Sequence, residues 1–196
     1  PAQDQTGTDL AHDDHPRARG DFQQGWQTYA GAKFDGVTIL DVGAATGAAT
    51  PRLARGGANA VTSQEPAMLD GVDTHADIYT FQPDSFDVVT AFDVLEHIEE
   101  DWPFVAQLVS IARRAVVLTT PNFNISRAKN PCHIREYTPA QLLWLASRLG
   151  HVAEVRSGDP RGREISEPQG PHEFTATQAP HLWVVLSPPM WGGKLA

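Results

Sequence analysis

The stretch whose reading decides the fold is Val37–Gly57, "VTILDVGAATGAATPRLARGG". Val37–Val42 is almost continuously apolar or β-branched, the pattern of a strand buried on both faces. A turn of small residues follows, with Gly43, Ala44, Ala45 and Gly47, and opens onto a helix predicted over Thr46–Arg55. Gly56 and Gly57 stop that helix and supply a left-handed cap. One residue is out of place in an apolar strand: Asp41, at its carboxyl end, directly before the glycine turn.

Outward from this unit, strand and helix alternate. Ala60–Gln64 is a second strand, "SFDVVTAF" (Ser85–Phe92) another and "AVVLTT" (Ala115–Thr120) another. Between the last two, Phe104, Val105, Leu108, Val109 and Ile111 form a helical apolar stripe, with Pro103 where a first turn tolerates it. "YTPAQLLWLASRLG" predicts a helix with Thr138 as N-cap, Pro139 first, Gln141 as capping-box partner and Gly150 as stop; Trp144 is expected in its core face. "HVAEVRS" and "HLWVVLS" read as late strands. Apolar strands separated by helices imply an α/β fold, a doubly wound, mostly parallel sheet in a single domain.

The ends are less patterned. Residues 1–20 are polar with one isolated leucine and are expected to be a flexible arm preceding a domain over 21–196. The chain begins at Pro1 rather than Met, the mark of a trimmed or partial product. Phe22, Trp26 and Tyr29 fit one face of a short helix, either packed or laid over a ligand. Gly158–Pro180 is rich in Pro and Gly and has no periodicity, so it is expected to be disordered or a lid.

The 196 residues, 41% hydrophobic and 20% charged, are those of a water-soluble domain of ordinary size. No apolar run approaches a membrane span. Cys132 stands alone, so no intramolecular disulfide can form, and a cytoplasmic setting is expected. The net charge of -9 argues against a nucleic-acid partner, whose phosphates select basic surfaces.

What the turn holds is narrowed by elimination. A dinucleotide fingerprint beginning at Gly43 needs glycines where the chain has Ala45 and Ala48, and no P-loop lysine follows. An acid before the first glycine would repel phosphate; it suits a cationic group such as an amino acid's ammonium. "LDVGAATG" resembles motif I of the class I S-adenosylmethionine-dependent methyltransferases, with Ala45 in place of the middle glycine. Further landmarks of that family follow in order over Phe34–Gly150. "SFDVVTAFDVLEHI", "TTPN" and "HIREYTPAQL" resemble the subgroup that contains ubiquinone-biosynthesis O-methyltransferases and many natural-product and glycan enzymes.

The resemblance implies S-adenosylmethionine as cofactor, with Asp41, Gly43, Ala44, Ala45 and Gly47 at its methionine moiety. Glu65 would grip the ribose, Asp77 and Ile78 would meet the adenine, and Phe92 and Asp93 would close the site from the family's fourth strand. The gap from Glu65 to Asp77 is short for the usual crossover helix and third strand.

On the acceptor side, Asp93, Glu96 and His97 lie at i, i+3 and i+4, so one helical turn would align them. His97 with Glu96 is the candidate catalytic pair, His97 acting as general base or holding the acceptor. Alternatively Asp93, Glu96, His97 and His133 bind a divalent metal, as relatives among ubiquinone-pathway and small-RNA 3′-end 2′-O-methyltransferases suggest. A third possibility is a structural cluster, with His133 on a loop carbonyl. Arg135, Glu136 and Tyr137 either line the acceptor side or, for Tyr137, staple the next helix. The expected activity is O-methylation of a small molecule or glycan, without metal. RNA 2′-O-methylation and a non-catalytic cofactor-binding module are the alternatives.

Overall fold

The computed structural model describes residues 23–188. The expected N-terminal arm and Phe22 lie outside those residues. The elements run α1 (Gln24–Lys33), β1 (Thr38–Val42), α2 (Thr50–Arg55), β2 (Ala60–Gln64), β3 (Phe86–Phe92), α3 (Asp101–Ile111), β4 (Ala112–Pro121), α4 (Phe123–Ser126), α5 (Pro139–Leu149), β5 (His151–Gly158), α6 (Pro171–Thr175) and β6 (His181–Ser187). Short 3₁₀ turns stand at Ile78–Thr80 and Leu95–His97.

The six strands form one sheet in the order β2-β1-β3-β4-β6-β5. β1 to β4 are parallel, and β6 runs antiparallel to both of its neighbours. This direction brings the first residue of β6, His181, opposite Pro121 at the end of β4. Alternation of side chains divides the core in two. Leu40, Val89, Val116, Leu118, Val184 and Leu186 pack on one face with Phe104, Leu108 and Leu142. Ile39, Val88, Val117, Trp183 and Val185 pack on the other with Trp26, Ala30 and Leu53. Each fully buried large side chain contributes about 1.5–3 kcal/mol, so both layers are needed.

Local chemistry explains most boundaries. Thr138 accepts the N–H of Gln141, whose side chain in turn accepts the N–H of Thr138, so the capping box starts α5 as expected. α2 begins only at Thr50, not Thr46, because residues 43–49 are spent on the turn; Gly43, Ala45 and Gly47 all have positive φ. Its stop is a right-handed Gly56 followed by Gly57 at φ 119°, so the left-handed turn falls one residue later. Between β2 and β3 no strand forms among the described residues. Instead, loop 65–77 folds back, with Asp73 bound to Ser63 and Glu65 to the Thr74 carbonyl.

Two expectations are corrected. Trp144 is not core: it is 57% exposed and its ring lies 6.0 Å from that of Trp102. The stretch 158–180 is ordered rather than disordered. Ile165 bridges to Gly158, α6 buries Phe174, and Ser166 and Gln169 donate backbone N–H groups to β5. Trp26 is core, fully buried and stacked on Trp183 at 5.5 Å, with its indole N–H on the Asp159 carbonyl.

Candidate active site

Strand β1 delivers Asp41 to the rim where the carboxyl ends of β1, β3 and β4 meet the start of β6. A cavity of about 1900 Å³ opens there. That exceeds the about 300–1,000 Å³ usual for one small ligand, leaving room for two reactants. Gly43, Ala44 and Ala45 line it, and so do Asp41, Glu65, Asp77, Ile78, Phe92, Asp93, Glu96, His97 and His133. Of the residues that the sequence assigned to cofactor, catalysis or metal, Gly47 alone does not. A Cβ there would come within 2.4 Å of the Gly71 carbonyl, so Gly47 lets loop 65–77 close on the turn.

Gly43 holds φ at 67°, and a Cβ on it would lie 2.5 Å from Val94. The turn is therefore clamped against the β3 end. Ala44 donates its N–H to the Gln64 carbonyl, while the Gln64 side chain reaches the Ala76 carbonyl. Gln64 thus ties the turn to the loop before Asp77, a role that no local sequence pattern signals. Asp41 is 2% exposed and accepts only the Thr90 hydroxyl, at 2.8 Å. Burial pushes its carboxyl up to about 7, partly opposed by that hydrogen bond.

Glu65 is oriented by two backbone donors, Ala45 at 3.0 Å and Ala67 at 3.1 Å. Asp77 caps the 3₁₀ turn by accepting from Tyr79 N–H, and Ile78 is buried beside it. These acids surround a space that a turn of small residues leaves open, and they would suit an ammonium and paired hydroxyls.

The helical turn expected for Asp93, Glu96 and His97 is tighter than an α-turn, and Asp93 parts from the other two, whose ligand atoms stay close. Asp93 sits at φ 52°, and its Oδ1 lies 2.6 Å from His181 Nε2 and 3.1 Å from Thr119 Oγ1. Glu96 is fully buried; its Oε2 accepts from Thr120, whereas Oε1 has no partner. Burial first, and the Asp93 charge second, hold its carboxyl well above the usual range. His97 Nδ1 donates to the Cys132 carbonyl at 2.9 Å, which leaves Nε2 as its basic nitrogen.

The loop-carbonyl partner expected for His133 belongs to His97 instead. His133 lies between Glu136 (Nδ1, 2.6 Å) and Asn130 (Nε2, 2.8 Å). Ligand atoms of Glu96, His97 and His133 come within 4.8 Å of one another, a group that could hold a cation; Asp93 is not part of it. Tyr137 does not line the cavity; it is buried in the same core cluster as Leu142, where a staple for α5 would lie, and its hydroxyl donates to Asp101, which also pairs with Arg135.

His181, Thr119 and Gln23 escaped sequence reading. Only the antiparallel turn of β6 brings His181 to this rim, and no local pattern signals strand direction. Gln23, Gln24 and Gln27 reach the cavity from α1, and Pro160 and Arg161 reach it from the 158–180 segment.

Residues 40–118 match the family described as methyltransferase domain. No curated protein matches the sequence. Among solved structures, the complex of the Haloferax volcanii Trm112 methyltransferase activator with a methyltransferase is similar at TM-score 0.67 and 16% identity, covering 90% of this chain and 94% of that one. The [4+2]-cyclase SpnF is similar at TM-score 0.64 and 16% identity, covering 86% and 80%. Magnesium protoporphyrin IX methyltransferase from Synechocystis PCC 6803, with bound S-adenosylhomocysteine, is similar at TM-score 0.57 and 16% identity, covering 87% and 86%.

Residues 40–118 thus resemble a methyltransferase domain, and the sheet that contains them has the Rossmann-like fold of these structures. Magnesium protoporphyrin IX methyltransferase was solved both with S-adenosylhomocysteine and with S-adenosylmethionine bound.

Proposed function

We propose that this chain moves the methyl group of S-adenosylmethionine to an oxygen of a small-molecule or glycan acceptor. The observation that carries the reading is the convergence of Asp41, Glu65 and Asp77 on one cavity beside the Gly43–Ala45 turn. When bound, the cofactor supplies an electrophilic methyl on a sulfonium, so the protein's work is alignment and proton management.

In this reading Asp41 faces the ammonium across the turn, Gly43, Ala44 and Ala45 let the methionine end touch main chain, and Gly47 keeps the turn closed from behind. Glu65 takes the ribose hydroxyls, and Asp77 with Ile78 the adenine. Phe92 and Asp93 border the methyl. Glu96 and His97 hold the acceptor from one wall, Glu96 through Oε1, which has no partner among the described residues. Pro160 and Arg161 give the 158–180 segment a wall of the cavity, as a lid would. The enzyme works in the cytoplasm. No helix among the described residues is long and apolar enough to cross a membrane.

An RNA end is the weaker acceptor. Glu65, Asp77, Asp93, Glu100 and Glu136 line the cavity against Lys129 and Arg161, a balance that repels a polyanion. SpnF is a cyclase on this fold, so turnover must be measured directly.

The test has two arms. Calorimetric titration of S-adenosylhomocysteine should give micromolar binding, and labelled methyl donor should mark a member of a hydroxylated small-molecule and glycan panel in preference to RNA. Absence of binding overturns the cofactor site. Binding with label going only to RNA overturns the acceptor, and binding with no labelled product at all turns the domain into a binding module.

A further inference from the structure

Asp93 is held in a way that no cofactor contact requires. It follows β3 directly, in left-handed backbone conformation at φ 52°, a cost for a residue other than glycine that its surroundings must offset. The surroundings are three. Thr119, on the neighbouring strand, accepts the Asp93 N–H through both its carbonyl (3.2 Å) and its Oγ1 (3.1 Å). The Thr119 hydroxyl also lies 3.0 Å from Gln23 Oε1 and 3.1 Å from Asp93 Oδ1. From the opposite side, His181 brings Nε2 to 2.6 Å from the same Oδ1.

All of these side-chain bonds fall on one oxygen. Oδ2 has no protein partner among the described residues, and the carboxylate keeps 20% of its surface while His181 keeps 2%. A fixed carboxylate with one saturated and one open oxygen is built to receive a donor from the cavity. Its place is also particular. Val42 of β1 pairs with Ala91 of β3, so Asp93 stands beside the Gly43 turn, with Val94 packed against Gly43. On the reading above, the methionine end of the cofactor lies there, and the inference rests on that reading.

We propose that Asp93 Oδ2 is the group that meets the acceptor's nucleophile at the point of methyl transfer, and that His181 is the positioning residue that aims it. The incoming hydroxyl donates its hydrogen bond to Oδ2. As its oxygen bonds to the methyl carbon, the carbon–sulfur bond breaks and that electron pair stays on sulfur as a neutral thioether. The hydroxyl proton passes to Asp93. Glu96 and His97, further along the chain, hold the remainder of the acceptor. His181 acts through Asp93 alone: its N–H saturates Oδ1 and fixes the carboxylate plane, so that Oδ2 is presented to the cavity.

The test needs no knowledge of the acceptor. Sinefungin, the cofactor analogue with an amine-bearing carbon in place of the sulfonium, puts an N–H donor where the methyl would be. Its affinity is compared with that of S-adenosylhomocysteine, which has no donor there, by calorimetry on the full chain. Wild type should prefer sinefungin by about tenfold, the effect of one charge-assisted hydrogen bond. Asp93→Asn and His181→Leu should each cut that preference below about threefold while S-adenosylhomocysteine binds within about twofold of wild type. His181→Gln, which keeps an N–H donor, should restore it.

A merely structural histidine would lower the affinities for both ligands together and leave their ratio unchanged. An unchanged ratio in Asp93→Asn overturns the proposal. A variant that fails to bind S-adenosylhomocysteine has lost its fold or pocket, and the comparison then rests on His181→Gln against Asp93→Asn. If wild type binds neither ligand, the cofactor reading has failed, and the proposal with it.

Discussion

Ala45 donates its backbone N–H to Glu65 Oε2 at 3.0 Å while holding φ at 50°. The small-residue turn after β1 and the end of β2 are thereby tied through a residue in a conformation that suits glycine. A side chain in the left-handed region costs about 1–2 kcal/mol, of which glycine's greater freedom in the unfolded chain takes back about half. Ala45→Gly should therefore stabilise the protein by about 0.5–1 kcal/mol, raising the melting temperature by roughly 2 °C. S-adenosylhomocysteine affinity should be unchanged, because the donor is main chain. A lower melting temperature would mean that the methyl group packs more favourably than its strain costs.

Glu65 should matter through its charge as well as its position. Removing a carboxylate that receives two ribose hydroxyls forfeits a charged hydrogen-bond pair of about 1.5–3 kcal/mol, so Glu65→Ala should weaken S-adenosylhomocysteine at least about tenfold. Glu65→Gln should fall between, since an amide oxygen can still accept from Ala45. Equal affinity in all three proteins would move the ribose elsewhere.

Asp41 links pH to both stability and binding. Burial raises its carboxyl from the ordinary 3.8 to about 7. Between those values the unfolded chain has already lost the proton that the folded chain keeps, so stability falls as pH rises from about 4 to about 7 and is flat beyond. Asp41→Asn should remove that slope and stabilise the free protein at pH 8 by up to about 4 kcal/mol, the ceiling set by the shift. The same substitution should weaken the cofactor, whose ammonium loses its partner. In wild type, binding should tighten from pH 6 to 8 and release a proton, read as a buffer-dependent calorimetric enthalpy. Buffer-independent heats would mean that Asp41 is already ionised in the free protein.

Glu96, His97 and His133 approach as a metal group would, yet both ring nitrogens of His133 are already bonded, to Glu136 and Asn130. Burial and the Asp93 charge also raise the Glu96 carboxyl well above the usual range, which disfavours the ionised form a cation needs. Methyl transfer is therefore expected to survive chelation within about twofold. Loss with EDTA and recovery with Mg²⁺ or Mn²⁺ would show that Asn130 gives way to a metal.

The capping box at Thr138 and Gln141 was legible because capping is local chemistry between residues three apart. The strands β1 to β4 and the turn at Gly43 were legible for a similar reason: period and small-residue spacing report backbone conformation within a few residues. The acids Asp41, Glu65 and Asp77 were legible only as points in an ordered series, and the fold brings all three to one cavity.

Other features had no local code. Trp144 occupies a helical apolar position yet faces solvent, because whether a stripe is covered depends on what packs across it. The 158–180 segment has no periodicity and is nonetheless ordered, held by backbone pairing to β5 and by Phe174. The side chain of Asp93 parts from those of Glu96 and His97 because a left-handed residue and a 3₁₀ turn replace the α-helical spacing that would have aligned all three.

The sequence by itself thus determined the alternation of strands and helices, the glycine turn and the acids at strand ends. These depend on near neighbours and on the period of burial. Only the tertiary structure decided that β6 runs antiparallel, and with it that His181 meets Asp93 across 88 positions of chain. Strand direction is settled by packing energies summed over the whole sheet, and no short stretch carries that sum.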